Sequence, residues 1–216
     1  MQPMQSMLRF TLILCGGFLL SAAASADQIY KLAAFNAVKS NGVFNVDIVA
    51  GKEQTVSVQG SDELVQQLKL QVVDGELMID GPQEKHNLFF GADSNAKVVI
   101  TLPSLRLFKG QGVGEINIKQ IDGDRIDISY DGVGSVVVTG KTKWLRLKGN
   151  GVGGIDTKKL LAEDADVDFD GVGSVDIYVS NHLNAVVHGV GSLTYYGNPR
   201  SINKLADGVG SISAGK

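Results

Sequence analysis

The chain has 216 residues, 44% of them apolar and 20% charged, a balance that excludes intrinsic disorder and leaves room for one domain or a short repeat array. Twenty lysines and arginines oppose 23 aspartates and glutamates for a net charge of −3, so the basic footprint of a nucleic-acid binder is missing. Glycine, at 27 residues, is far above ordinary usage, and there is a single cysteine.

Residues 1–26 read as a secretory signal peptide. Arg9 supplies the positive charge, Phe10 to Ala24 is almost wholly apolar, and Ala24-Ser25-Ala26 is a small-residue cleavage signal followed by polar Asp27. The expected destination is the periplasm, the cell surface or the exterior. The apolar stretch is short for a membrane span, which needs about 20 residues, and no later segment approaches that length. Cleavage after Ala26 leaves 190 residues (216 − 26) and removes Cys15. Disulfides, thiolate-ligated metals and a cysteine nucleophile are then all excluded.

Residues 27–216 read as one domain, divided into an irregular N-terminal part (27–107) and a regular part (108–216). In the first, Phe44, Val46 and Ile48 alternate with polar residues, as do Val56 with Val58, Leu68 and Leu70 with Val72, and Leu77 with Ile79; such period-two alternation predicts strands. Asn41-Gly42, Asp74-Gly75 and Gly81-Pro82 are turn signals, and Asp74-Gly75 in particular predicts an antiparallel hairpin. Ser61 to Leu70 is compatible with a short helix. Gly81 to Lys97 is a long connection carrying Leu88, Phe89 and Phe90, which either folds over an open end of the array or forms a contact patch.

The regular part is a repeat. Gly-Val-Gly begins at Gly112, Gly132, Gly151, Gly171, Gly189 and Gly208, at intervals of 20, 19, 20, 18 and 19 residues. Its three columns are Gly112, Gly132, Gly151, Gly171, Gly189 and Gly208; Val113, Val133, Val152, Val172, Val190 and Val209; and Gly114, Gly134, Gly153, Gly173, Gly191 and Gly210. Four residues before each copy stand Phe108, Ile128, Leu147, Val167 and Ala185, with Lys204 as the exception. Two residues after each copy stand Ile116, Val136, Ile155, Val175, Leu193 and Ile212. A repeat this short cannot hold two packed helices but suits one coil of stacked strands. The expected fold is therefore all-β, a right-handed parallel β-helix (β-solenoid) with turns of about 19 residues, the valines pointing inward and the glycines turning the corners.

The segments Phe44-Asn-Val-Asp-Ile, Val56-Ser-Val-Gln-Gly, Gly75-Glu-Leu-Met-Ile, Val99-Ile-Thr-Leu-Pro103 and Gly112-Val-Gly-Glu-Ile-Asn-Ile118 resemble the family named "putative auto-transporter adhesin, head GIN domain" over nearly all of residues 27–216. The Gly-Ile-Asn of that name is met here by Gly114-Glu115-Ile116-Asn117, and later copies read mostly Gly-Val-Gly-Ser-Val. The resemblance implies a secreted or envelope β-helix of bacteria and carries over no catalytic residue.

One column carries polar chemistry. Immediately before the glycines stand Gln111, Asp131, Asn150, Asp170, His188 and Asp207. Such an edge either bonds the corner amides as Asx-turns do or forms a strip for a cation or glycan. Asp168 with Asp170, or Asp176, has the form of a carboxylate pair, which on a strand face is ordinarily solvated. Tyr178, Tyr195 and Tyr196 suit either packing or sugar stacking. Gly149-Asn-Gly-Val-Gly-Gly154 matches a dinucleotide fingerprint, yet its sibling copies place strands where that motif needs a helix. His86, His182 and His188 are too scattered for a metal, and no nucleophile elbow accompanies the serines.

The expectation is thus a non-enzymatic, adhesin-like envelope module without cofactor or metal. Its partner would be a glycan or an envelope or surface protein. A self-associating periplasmic structural protein, forming a homo-oligomer through the ends of the array, is the alternative, and a carbohydrate-active enzyme a further one. Either the long loop or residues 27–40 should cover one end.

Overall fold

The computed structural model describes residues 28–82 and 96–216. The proposed signal peptide and Leu88, Phe89, Phe90 and His86 lie outside them. In chain order the elements are β1 (Gln28–Tyr30), β2 (Ala37–Val43), β3 (Asn45–Ala50), β4 (Thr55–Gln59), α1 (Asp62–Gln67), β5 (Lys69–Val73), β6 (Glu76–Asp80), β7 (Lys97–Leu102), β8 (Leu107–Tyr196) and β9 (Ser201–Ala214). The short helix falls within the segment expected to allow one. The fold is all-β, and its strands form one sheet in the order β1-β4-β7-β3-β8-β2-β6-β5, with β9 attached to β8.

The length of β8 dictates how it runs. Ninety extended residues would reach about 300 Å at about 3.3 Å each, so the chain must return alongside itself. The glycines mark where. A Cβ built on Gly132 would overlap the carbonyl oxygen of Gly112; Gly151 meets Gly132 in the same way, Gly171 meets Gly151, Gly189 meets Gly171, and Gly208 meets Gly189. Each copy therefore lies against its predecessor, offset by 18–20 residues and running the same way. β9 continues the pattern, with His182 through Tyr195 parallel to Ser201 through Ala214.

The N-terminal part supplies two further levels that the sequence disguised. Asn41-Gly42-Val43 was expected to turn, but it is the end of β2 and pairs residue for residue with Gln111-Gly112-Val113. Phe44 stands where later copies have their second glycine, and Val46 pairs with Ile116. One level lower, Asp80 pairs with Asn41. Gly81 then donates to the Asn41 carbonyl, and Val43 to that of Pro82. Asp80-Gly81-Pro82 is thus a degenerate copy that continues a strand before leaving it.

The sheet is mixed, which corrects the expectation of a purely parallel coil. β2 with β6 and β8, and β3 with β7 and β8, pair in parallel. β4 with β1 and β7, and β5 with β6, are antiparallel. The cause is local. Asp74 and Gly75 hold φ of 50° and 75°, the left-handed pair of a two-residue hairpin that reverses the chain between β5 and β6 as anticipated.

A second correction concerns the valines. Val113, Val133, Val152, Val172, Val190 and Val209 are 39, 50, 51, 50, 51 and 75% exposed. They form a column, but on the outside. Strand parity explains it: the buried positions, such as Leu147 and Ile155 around Gly151, lie an even number of residues from the glycines, so the glycines face inward and the intervening valine outward. Space left beneath the glycines is filled by rings. The nearest side-chain atoms to a Cβ on Gly110 belong to Tyr130 and Phe108, and to one on Gly149, Ile155 and Phe169. One hydrophobic core runs from Phe35 to Ile212. At its last level Lys204 lies in register with buried Ala185 and donates to the Ile212 carbonyl at 3.2 Å.

Candidate functional site

The polar column is brought together as its spacing suggests. Asn41 pairs with both Asp80 and Gln111, His188 pairs with Asp207, and the stacked glycines next to them hold Asp131, Asn150 and Asp170 in line. Its side chains point outward beside the valines. Asn41 Nδ2 donates to Asp80 Oδ1 at 3.4 Å, and His188 Nδ1 lies 3.7 Å from Asp207 Oδ2. Among the described residues Gln111, Asp131, Asn150 and Asp170 form no side-chain bond to a corner amide. Those amides belong to the ladder, which corrects the Asx-turn reading.

The same register builds a broader face that sequence reasoning missed. Asp164, Asp166, Asp168 and Asp170 alternate with buried Ala165, Val167 and Phe169, so four carboxylates leave one strand on one side. One level away, 20 residues earlier, stand Trp144, Arg146, Lys148 and Asn150. On the other side, 18 residues later, stand His182, Asn184, Val186 and His188. The contacts verify both offsets: Lys148 Nζ lies 3.9 Å from Asp168 Oδ2, Asn184 Nδ2 donates to Asp166 Oδ1 at 3.3 Å, and His182 Nδ1 is 2.8 Å from Asp164 Oδ1. The period-two Asp-x-Asp-x-Asp-x-Asp run was the available signal.

Asp164 is the most constrained of the four. It also receives Asn181 Nδ2 at 2.9 Å and the His182 amide at 3.1 Å. Burial pushes its pKa upward, but the hydrogen bonds from His182 and Asn181 and the imidazole's charge outweigh that and hold it below the ordinary carboxylate value. Among the described residues no three His, Cys, Asp or Glu side chains are grouped closely enough to hold a metal ion.

A groove of about 290 Å³ opens on this face, lined chiefly by Arg146, Lys148, Asp166, Asp168, Asn184 and His188. Tyr178 and Tyr196 lie instead near the backbone of Gly197 and Gly215, and Lys158 Nζ sits 3.9 Å over the Tyr196 ring. No helix among the described residues is long and apolar enough to cross a membrane.

A family model described as "Putative auto-transporter adhesin, head GIN domain" matches residues 34–199. A putative adhesin from Bacteroides fragilis NCTC 9343 is 25% identical with a TM-score of 0.68, the match covering 89% of this chain and 98% of that one. A putative adhesin from Parabacteroides distasonis ATCC 8503 is 17% identical at a TM-score of 0.55, covering 88% and 96%. A protein from the same organism described as a putative lipid binding protein is 17% identical at 0.50, covering 89% and 97%. These last two likenesses are of fold alone. Among curated proteins none matches the chain.

Proposed function

The chain belongs to the family of putative auto-transporter adhesins with a head GIN domain, and on that premise we propose that it is an exported, adhesin-like binding module of the cell envelope without catalytic activity. We read its copies as a right-handed parallel coil that serves as a stiff support for an outward face. The observation that carries the reading is the alignment of outward side chains. Backbone pairing and glycine stacking fix them on a grid of about 4.8 Å between levels and about 6.6 Å along a strand. Such a grid is preorganised, so a partner meets it without the entropic cost of ordering loops.

The histidines pair with side chains of their own face. His182 touches Asp164 and Asn181, and His188 faces Asp207; neither has a hydroxyl nucleophile in hydrogen-bond contact among the described residues. The test is binding of the fluorescently labelled protein, produced without residues 1–26, to intact cells and to isolated envelope. Saturable binding lost when Asp131, Asp170 and Asp207 are jointly changed to alanine supports the reading. Equal binding by that variant, or none by the parent, contradicts it.

A second reading, self-association, is favoured by a separate observation. β9 pairs on one side with β8, its outer edge is unpaired among the described residues, and Leu205 and Val209 on it are 58 and 75% exposed. A second copy stacking there would bury them. Light scattering that finds a monomer at every concentration removes this reading.

A further inference from the structure

Resting on the binding reading above, we propose that the groove beside Trp144 is a site for a neutral saccharide. Three levels of strand meet in it, with cationic Arg146 and Lys148 on the first, the carboxylates of Asp166 and Asp168 on the second, and Asn184 with His188 on the third.

The bonding capacity of these groups is largely unspent. The Arg146 side chain has neither an ion pair nor a hydrogen bond among the described residues, so its five donors are available. The Lys148–Asp168 pair is stretched to 3.9 Å. Asp166 gives one oxygen to Asn184 at 3.3 Å and keeps the other. Trp144, 37% exposed, shares the strand side of Arg146 two residues away, about 6.6 Å along the strand, which places it next to the groove's lining.

The pattern selects its ligand by elimination. Two carboxylates at the centre repel an anion, while Arg146 and Lys148 oppose a bare cation. An acyl chain could touch Leu147, Val167 and Val186, but it would cover Arg146, Lys148, Asp166 and Asp168 without offering any of them a partner. An extended peptide gains most from a free strand edge, and the groove lies on the face of paired strands. What remains is a neutral molecule that offers hydroxyls as donors to carboxylates and as acceptors to guanidinium and ammonium, with an apolar ring face to lie against tryptophan. A pyranose has both. Two level spacings, about 9.6 Å, give room for a disaccharide unit.

The chain holds one tryptophan, so its fluorescence reports on the surface next to this groove. The protein without residues 1–26 is screened on an array of neutral and acidic glycans, and hits are titrated by tryptophan emission and by calorimetry. The expected result is a saturable emission change with neutral glycans. Arg146→Ala and Asp166→Asn should each raise Kd at least tenfold, whereas Lys141→Ala leaves it unchanged. Trp144→Phe should retain binding better than Trp144→Ala by calorimetry. Binding confined to acidic glycans, affinity indifferent to Arg146→Ala and Asp166→Asn, or no glycan bound at all overturns the site. Cell binding that persists in those cases leaves the envelope-binding reading standing, and its loss removes both.

Discussion

The two parts of this molecule hold the same stack together by opposite means. From β8 onward, glycines repeat at each level and backbone lies on backbone. In the N-terminal part Phe44 takes the second glycine's place, a helix and a hairpin intervene, and β2 lies between β6 and β8 rather than next to its sequence neighbours alone. The regular part gains a continuous ladder but tolerates little at its glycines. The irregular part ends the sheet in antiparallel strands and adds, in Gly75, a glycine that serves a turn instead. The difference shows that a glycine-rich repeat can need its glycines for proximity rather than for flexibility.

Substitution separates these roles. Gly151 has a φ of 118°, and its Cβ would overlap the Gly132 carbonyl; Gly151→Ala should cost about 3 kcal/mol, since neither backbone can yield. Gly75 has a φ of 75° but nothing within 4 Å of its Cβ position, so Gly75→Ala should cost about 1 kcal/mol, the conformational part alone. Equilibrium urea unfolding measures both. Equal losses would mean that proximity is not what the repeat glycines provide.

Inside and outside differ within a single copy as well. Val175 is 1% exposed and Val172 50%. Val175→Thr should cost about 2 kcal/mol by burying an unpaired hydroxyl, and Val172→Thr should stay within about 0.5 kcal/mol.

The smallest effect is a pH dependence present in both parts. Burial pushes the Asp47 pKa up, but hydrogen bonds from Lys97 and Asn117 and the nearby lysine charges bring it below its usual value, and Asp164 behaves likewise. A carboxylate whose pKa is lower when folded binds fewer protons in the native state. Its stabilisation is therefore full above its unfolded value, about 3.9, and is lost as pH falls through the folded value. Asp47→Asn and Asp164→Asn should each flatten the fall of stability below pH ~4. An unaltered slope in both would contradict the assignment.

Much of the fold could be read from the sequence because the repeat encodes it directly. The buried columns from Phe108 to Ala185 and from Ile116 to Ile212 were both visible, as was the Asp74-Gly75 hairpin. What failed has physical causes. Residue type alone points the valines inward, yet they stand at odd spacing from the apolar columns, and parity outranks propensity in a strand. Asn41-Gly42-Val43 was hidden because Phe44 breaks the tripeptide. The polar column was legible from its constant offset, whereas the groove was not: Arg146, Asp166 and Asn184 meet only when unequal steps of 20 and 18 residues are applied together.

The central claim is that each glycine pair faces the core and carries its valine on the outer surface. Single cysteines at 172 and 175, in a chain lacking Cys15, test it by thiol labelling under native conditions. The account predicts that a cysteine replacing Val172 reacts about as fast as a free thiol, and that one replacing Val175, three residues away, is protected until the protein unfolds. Protection at 172 with free reaction at 175 would contradict it.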